Sequence, residues 1–552
     1  GKFNLSEWAL KHQSFVWYLM FVAVVAGIFS YINLGRAEDP SFAIKTMVIQ
    51  SKWPGATVDE TRLQITDRIE KKLEELDSLD YVQSYTRPGE STVFVFLKDT
   101  TKADAIPHIW YEVRKKIGDI RGDFPQGIQG PGFDDEFGDV YGTIFAFTGD
   151  GFTMRQLRDY VEQVRTGIRD VPNRGKVTTI GEQEETFYLD FSTRKLAALG
   201  LDQEHILESL QQQNAVTPAG VIEAGPERMS VRTSGQFHSV EDLAAVNLRV
   251  NDRFYRLADI ADISRGYVDP AAPMFHYNGK PAIGLAIAMI DGGNIQEFGK
   301  ELQQRIDDLT AQLPVGVGVH MVSDQAQVVE VAVSGFTSAL FEAVVIVLAV
   351  SFISLGLRAG LVVAISIPLV LALVFVFMEF TGIAMQRVSL GALIIALGLL
   401  VDDAMITVEM MITRLELGET KEQAATFAYH STAFPMLTGT LVTVAGFVPI
   451  GLNNSSAGEY TFTLFAVIAV AMLVSWVVAV LFAPVLGVHI LSAKVKPKSE
   501  TPGRLAQVFN SGLLWCMRNR WWTIGATVLM FVLSVFGMGL VQNQFFPASD
   551  RP

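Results

Sequence analysis

The sequence is poor in cysteine, poor in charge, and without a histidine pattern that could hold a metal. Its 552 residues include one cysteine, Cys516, which forbids an intrachain disulfide and leaves every folded part to be held by core burial. The eight histidines show no metal-ligand spacing and there is no cysteine pair, so nothing points to a zinc centre. A Gly-x-x-x-x-Gly-Lys-Ser/Thr loop is absent, which argues against an ATP motor on this chain, and so is a nucleophile elbow. Charged residues make up 18% of the chain, against about 25% in ordinary soluble proteins. Apolar residues make up 49%, and the mean hydropathy is +0.29.

The missing charge is unevenly distributed. Residues 34–334 hold 46 acids and 31 bases, whereas the remainder holds 12 acids and 13 bases among long apolar runs. This is the pattern of an acidic soluble region attached to a polytopic membrane domain. The soluble region has no Lys/Arg cluster, which argues against a nucleic-acid partner. Seven stretches are apolar over the roughly 20 residues that a bilayer requires: Phe15–Leu34, Val331–Leu357, Leu361–Met378, Val388–Ile412, Ala433–Leu452, Phe462–Leu491 and Trp522–Val541. The first has too long an apolar core, and no small-x-small site after it, to read as a signal peptide. With the N-terminus inside, the short inner loops carry eleven Lys and Arg, and the outer ones carry only Arg387. The positive-inside rule then places residues 34–334 outside, in the periplasm of a Gram-negative cell whose inner membrane holds the spans.

Hydrophobic periodicity in the outer region alternates between strand and helix. Strand-like Ala43–Gln50, amphipathic Val58–Leu76, a hairpin at 82–97 and helical Ala103–Ile120 follow the order of a β-α-β/β-α-β unit of split βαβ type. A second series runs from strand Val140–Phe147 through helix Thr153–Val171 and strand Lys176–Ile180. It resumes with strand Ala282–Ile290, helix Ile295–Leu313 and strand Val317–Val322. Residues 182–271 interrupt it as an inserted subdomain with a helix at Asp202–Gln212 and an extended loop or hairpin at Thr217–Gly235. The expected organisation is a cytoplasmic 1–14, span 15–34, outer subdomains 35–181, insertion 182–271, and the rest of the second unit at 272–330. Spans 331–491, a basic inner loop 492–521, span 522–541 and the start of a second outer region at 542–552 follow. The seventh span repeats the basic-aromatic-apolar order of the first, so a duplicated architecture that continues past residue 552 is expected.

The fourth span carries the chemistry. Asp402 and Asp403 are adjacent and lie about 20 Å in from its outer end, within a hydrocarbon core about 30 Å thick. Each ionised carboxylate there costs on the order of 3 kcal/mol, and neighbouring acids titrate as one coupled pair. The pair therefore reads as a proton-loading site; the plainer alternative is a structural pair satisfied by a base on another span. Spans two to seven offer no Lys or Arg near mid-membrane, so the expected partner cation comes from outside this segment. Glu409, seven residues after Asp402 and on the same helical face, either extends a proton route inward or snorkels to the interface. An intramembrane aspartyl hydrolase would need its aspartates on separate, facing helices. A sensor would need an output domain, which no inner loop is long enough to supply.

Several motifs carry a family resemblance: Gly398-Leu-Leu-Val-Asp402-Asp403-Ala404 with Val408-Glu409, Trp53-Pro54-Gly55-Ala56, Leu340-Phe341-Glu342-Ala343, Asn278-Gly279-Lys280-Pro281-Ala282 and Pro484. In these the chain resembles the resistance-nodulation-division (RND) efflux transporters, above all their hydrophobe/amphiphile multidrug branch. The resemblance implies a polytopic α-helical membrane protein whose large α+β periplasmic domain is built of ferredoxin-like porter subdomains, with 182–271 as the docking insertion. It implies a proton antiporter without a cofactor, homotrimeric or heterotrimeric, working with a periplasmic adaptor protein and an outer-membrane channel. Asp402 and Asp403 match the family's proton-relay acids, and the double aspartate favours amphiphilic organic substrates over metal ions. Export of lipids or metal ions by the same motor is the alternative. By position, Val140, Ile180 and Ile287 match strands that line the family's substrate cleft, and Thr217–Gly235 matches the arm that grips a neighbouring protomer.

Overall fold

The computed structural model describes residues 3–38, 43–214, 218–224, 227–232, 237–250, 253–492 and 503–544. By internal contacts the chain divides into two compact units. One comprises Gly1–Val140, Asp291–Gln296 and Gln327–Pro552; the other comprises Tyr141–Ile290 and Glu297–Ala326.

In the first unit, β1 (Thr46–Lys52), β2 (Leu79–Arg87), β3 (Glu90–Leu97) and β4 (Gln129–Asp134) form an antiparallel sheet in the order β2-β3-β1-β4. The helical run Val58–Thr61, Arg62–Thr66, Asp67–Leu73 and the helix Ile106–Asp119 connect them. Alternation along the strands explains the layering. Met47 and Ile49 of β1 and Val93 and Val95 of β3 are fully buried beneath Ile65, Ile69, Leu73, Ile109 and Val113 of the helices. The intervening side chains make an aromatic opposite face, where Tyr81 stacks on Phe96 at 4.4 Å between centroids.

The second unit repeats this topology. It runs β5 (Thr143–Gly149), helix Met154–Gly167 and β6 (Arg174–Ile180) before an excursion. In the excursion β7 (Glu185–Phe191) is followed by helix Gln203–Gln213, β8 (Pro218–Ala224), β9 (Glu227–Arg232), β10 (Asn247–Val250), β11 (Arg253–Arg256) and β12 (Ala261–Tyr267). Antiparallel pairing of β12 with β7 closes it, over a core of Leu196, Ile206, Leu257 and Ile260. β8 and β9 pair as a hairpin within the stretch read as extended from sequence; Thr217, Gly225, Pro226 and 233–236 lie outside the described residues. The chain returns through β13 (Phe275–Tyr277), β14 (Lys280–Met289), helix Ile295–Thr310 and β15 (Val317–Asp324). The strands align as β6-β14-β5-β15, with β13 sharing the β14 edge.

Among the described residues seven helices are long and apolar enough to cross a membrane. They are span 1 (Gln13–Asn33), span 2 (Gln325–Leu355), span 3 (Leu357–Thr381), span 4 (Arg387–Glu416), span 5 (Lys421–Gly451), span 6 (Ser456–Ile490) and span 7 (Arg520–Met538). Most outrun the apolar windows of the sequence. Span 5 begins twelve residues before Ala433, because Thr420 and Gln423 cap it reciprocally and backbone order runs on through polar residues. Span 6 is interrupted by a π-helical turn, Val478–Phe482, whose Val480 carbonyl accepts a bond from Ser6 Oγ (2.7 Å).

Two junctions fix the first unit. Where the chain leaves span 1, Ala37 N–H donates to Met385 O (3.0 Å) and Met385 N–H to Gly35 O (2.7 Å), and Arg387 pairs with Glu38. Gly35 is required here, since a Cβ would fall 2.6 Å from the carbonyl oxygen of Gly292. The second junction joins the foot of the sheet to the start of span 6. Lys45 Nζ, almost wholly buried, donates to Asp99 O (2.7 Å) and Ser456 Oγ (3.3 Å) and lies 3.6 Å from Glu459 Oε1. Asp99 Oδ1 accepts the Ser456 amide (2.9 Å).

Spans 1 and 3 meet at Gly27, where a Cβ would lie 2.4 Å from that of Ala372. Gly27→Leu is expected to destabilise the pair by about 1–3 kcal/mol, seen as a lower melting temperature and yield in detergent. The Ser456 hydroxyl and amide, with Lys45 assisting, hold the Asp99 carboxyl below its ordinary value of 3.8 against the opposing effect of burial. Such a group contributes stability above its unfolded pKa and loses it as pH falls through the lower folded value. The melting-temperature gap between wild type and Asp99→Asn is therefore expected at neutral pH and should close below about pH 4. A gap independent of pH would contradict this.

Candidate functional site

Span 4 is built to carry a polar pair through an apolar bundle. Its first turn is capped by Gln386, whose side chain accepts from the amides of Val388 and Ser389 while Ser389 Oγ accepts from the Gln386 amide. Sixteen residues beyond Arg387, and so about 24 Å along the axis, comes Asp403. Being consecutive on a helix, the two aspartates point about 100° apart, and this decides their environments. Asp403 is 6% exposed, facing spans 5 and 6, whereas Asp402 is exposed.

The hydroxyls that meet Asp403 come from two other helices. Thr440 Oγ1 of span 5 lies 3.4 Å from Asp403 Oδ2, and Ser475 Oγ of span 6 lies 3.3 Å from the same oxygen. Thr440 and Ser475 are each 2% exposed. Ser475 Oγ also donates to Met472 O (2.7 Å), and Thr407 Oγ1 bonds the Asp403 carbonyl (3.1 Å). Both aspartates open on a recess of about 340 Å³ lined by Ile406, Thr432, Pro435, Met436, Gly439 and Thr443 among others. No Lys, Arg or His lines it. Among the described residues no group of three His, Cys, Asp or Glu side chains could hold a metal ion. The arrangement is a carboxylate pair with hydroxyl donors and a solvent-sized opening, which can bind and release a proton without other chemistry.

Spans 4, 5 and 6 pack closely, and Trp476 Nε1 of span 6 donates to Ala433 O of span 5 (2.9 Å). The whole chain from residue 5 to residue 552 matches the model of the AcrB/AcrD/AcrF family. The chain belongs to that family of RND transporters. It is similar, at 22% identity over 99% of its length, to the swarming motility protein SwrC of Bacillus subtilis (strain 168), covering 56% of that protein. It is 23% identical over 96% of its length to an uncharacterized transporter of Haemophilus influenzae, covering 52% of it. The chain thus spans about half the length of the curated relatives it matches.

In this AcrB/AcrD/AcrF-family chain the other residues singled out from sequence fall in unlike places. Glu409 is exposed on span 4 and bonded through its backbone carbonyl to Thr413 Oγ1 (2.9 Å). Val140, expected to open a strand, precedes β5 and is 81% exposed. The turn at Glu136–Asp139 comes first, and the strand begins at Thr143. Ile287 does lie on β14, but it is 0% exposed and shares the helix-covered side with Leu285 and Ile283, so it does not line a cleft. Ile180 ends β6 opposite Gly284, on the side of the sheet away from Leu285 and Ile287.

That second face has features the sequence did not disclose. Ala146, Gly284 and Ala286 make a floor of small residues in register. Tyr277 stacks on His320 at its rim with centroids 4.5 Å apart, and Thr148 Oγ1 lies 3.3 Å from His320 Nε2. Period-two alternation could have found the floor; the stack joins residues 43 apart in sequence and needs the sheet register. Thr440 and Ser475 were missed likewise, since Ser and Thr are common in membrane helices and usually bond their own backbone.

A lysine at position 436 would enter the recess beside the aspartates. Met436→Lys is expected to insert at near wild-type level, and to lose about tenfold in membrane yield once both aspartates are replaced by Asn. Equal yields in the two backgrounds, measured by quantitative blotting of membranes, would contradict a recess facing the pair.

Proposed function

We propose that this chain is part of an inner-membrane RND exporter that exchanges protons for amphiphilic organic compounds, taking them from the periplasm or outer leaflet. Asp402 and Asp403 are its proton-relay acids. The observation that carries the reading is Asp403 itself: a buried carboxylate at mid-span, with two hydroxyl donors and no base beside it, within a family of transporters. The cation that balances the pair comes from a part of the assembly outside this segment. Residues 43–134 and the repeated unit 143–180 with 275–324 act as porter subdomains, and 182–271 as the docking insertion.

The protein works as a trimer of like or related subunits, with a periplasmic adaptor and an outer-membrane channel, and needs no cofactor beyond the proton gradient. The sheet face bearing Ile180, Tyr277 and His320 has a floor of small residues beneath aromatic and polar side chains.

Replacing Asp403 by Asn is expected to lower proton-driven efflux of a fluorescent amphiphilic cation such as ethidium at least about tenfold. Membrane abundance should stay unchanged, and Asp402→Asn should behave similarly. Normal efflux in the double variant would remove the proton-relay reading. Running the same assay with phospholipid and divalent metal ions separates drug-type export from export of lipids or metals.

A further inference from the structure

Span 6 carries two unlike polar contacts, at Ser456 and at Ser475, which lie about 28 Å apart along one helix. At the deep contact, the single hydroxyl proton of Ser475 has two acceptors, Asp403 Oδ2 (3.3 Å) and the Met472 carbonyl (2.7 Å). An ionised carboxyl draws that proton; a protonated one releases it to the backbone of span 6. Three residues further on, the ladder is already re-registered by the π-helical turn Val478–Phe482, a feature that recurs at functional sites in helices. On span 6, therefore, a backbone carbonyl, that of Met472, competes with Asp403 for one hydroxyl proton.

At the outer contact, the same helix is fastened to the first sheet by groups of both signs. Lys45, next to β1 and with a side chain only 9% exposed, lies 3.6 Å from Glu459 Oε1 and 3.8 Å from Asp99 Oδ1. It also donates to Asp99 O (2.7 Å) and Ser456 Oγ (3.3 Å). Glu459 Oε2 accepts the Ala43 amide (3.2 Å), and Asp99 Oδ1 accepts the first amide of the helix at Ser456 (2.9 Å). A lysine buried to this degree against two carboxylates resists separation, because parting them strands a desolvated charge. The foot of the sheet and the outer end of span 6 are thus a single mechanical piece.

We propose that span 6 is the link by which the charge state of Asp403 reaches the first α/β unit. Lys45, Asp99 and Glu459 are the positioning residues that fasten this unit to it. The inference rests on the reading of Asp403 as a proton-loading site, and names the element through which that site acts on the outer domain.

The test is a double-mutant cycle read by hydrogen–deuterium exchange on the membrane-inserted protein in nanodiscs at neutral pH. Asp403→Asn, which fixes position 403 uncharged, is expected to change exchange rates in segments 43–52 and 95–101 by about threefold or more. In a Lys45→Met background the change should fall to less than about half, and Lys45→Arg should restore it. Should Lys45→Met fail to fold, Glu459→Gln is read in the same way. A change of equal size with and without the clasp, or no change in these segments on Asp403→Asn, overturns the proposal.

A Lys45→Cys/Glu459→Cys pair in a Cys516→Ser background supplies a second arm. Oxidation should preserve the response, whereas a response that is lost on oxidation and recovered on reduction also overturns it. Efflux by Asp403→Asn separates the two readings. Normal efflux with the exchange coupling intact removes proton loading alone, and lost efflux without exchange coupling removes this inference alone.

Discussion

A carboxylate inside an apolar helix bundle must find its donors within its own protein, because ionised it costs on the order of 3 kcal/mol at the bilayer centre. Asp403 meets that requirement with Thr440 and Ser475, one hydroxyl from each flanking helix. Placing those hydroxyls sets the packing of spans 4, 5 and 6 against one another, and the Trp476–Ala433 bond holds spans 5 and 6 in the necessary register. A hydroxyl can donate to a carboxylate or, by turning, accept from a protonated carboxyl. Asp402 is one residue away and exposed on the same recess, so the pair has one member held by the bundle and one open to its surroundings.

Rigidity elsewhere serves to keep that geometry addressable. The N-terminal end of span 4 is bound into a knot of backbone bonds with residues 35–38, and Gly35 lets two chain segments approach closer than a side chain would allow. Span 6 is fastened at its first turn by Lys45, Asp99 and Glu459, and its hydrogen-bond ladder changes register at a π-helical turn just after Ser475.

The two α/β units solve one packing problem in one way. Each packs two amphipathic helices against one face of a four-strand core. The opposite faces differ in chemistry. The first is aromatic, with Tyr81, Phe94 and Phe96 in contact; the second has a floor of alanine and glycine with a Tyr277–His320 stack at its edge. Same topology and different faces are what a duplicated fold permits, because helix-side residues set the core while the other set is free to vary.

By itself the sequence determined the long apolar helices, the acidic segment between the first two of them, most of the alternating strand and helix order of both units, the insertion between β6 and β14, and the location of the acid pair. All of these depend on local periodicity or on the cost of placing a charge in an apolar run, which can be read along the chain. Only the tertiary structure decided which aspartate is buried, because neighbours on a helix differ by a rotation that has meaning only against spans 5 and 6. It also decided that Val140 precedes its strand and that Ile287 faces the helices, since a shift of strand start or register moves side chains from one face to the other. The clasp at Lys45 joins residues more than four hundred positions apart. No periodicity encodes such a contact; it exists because folding brings the foot of one sheet onto the first turn of one helix.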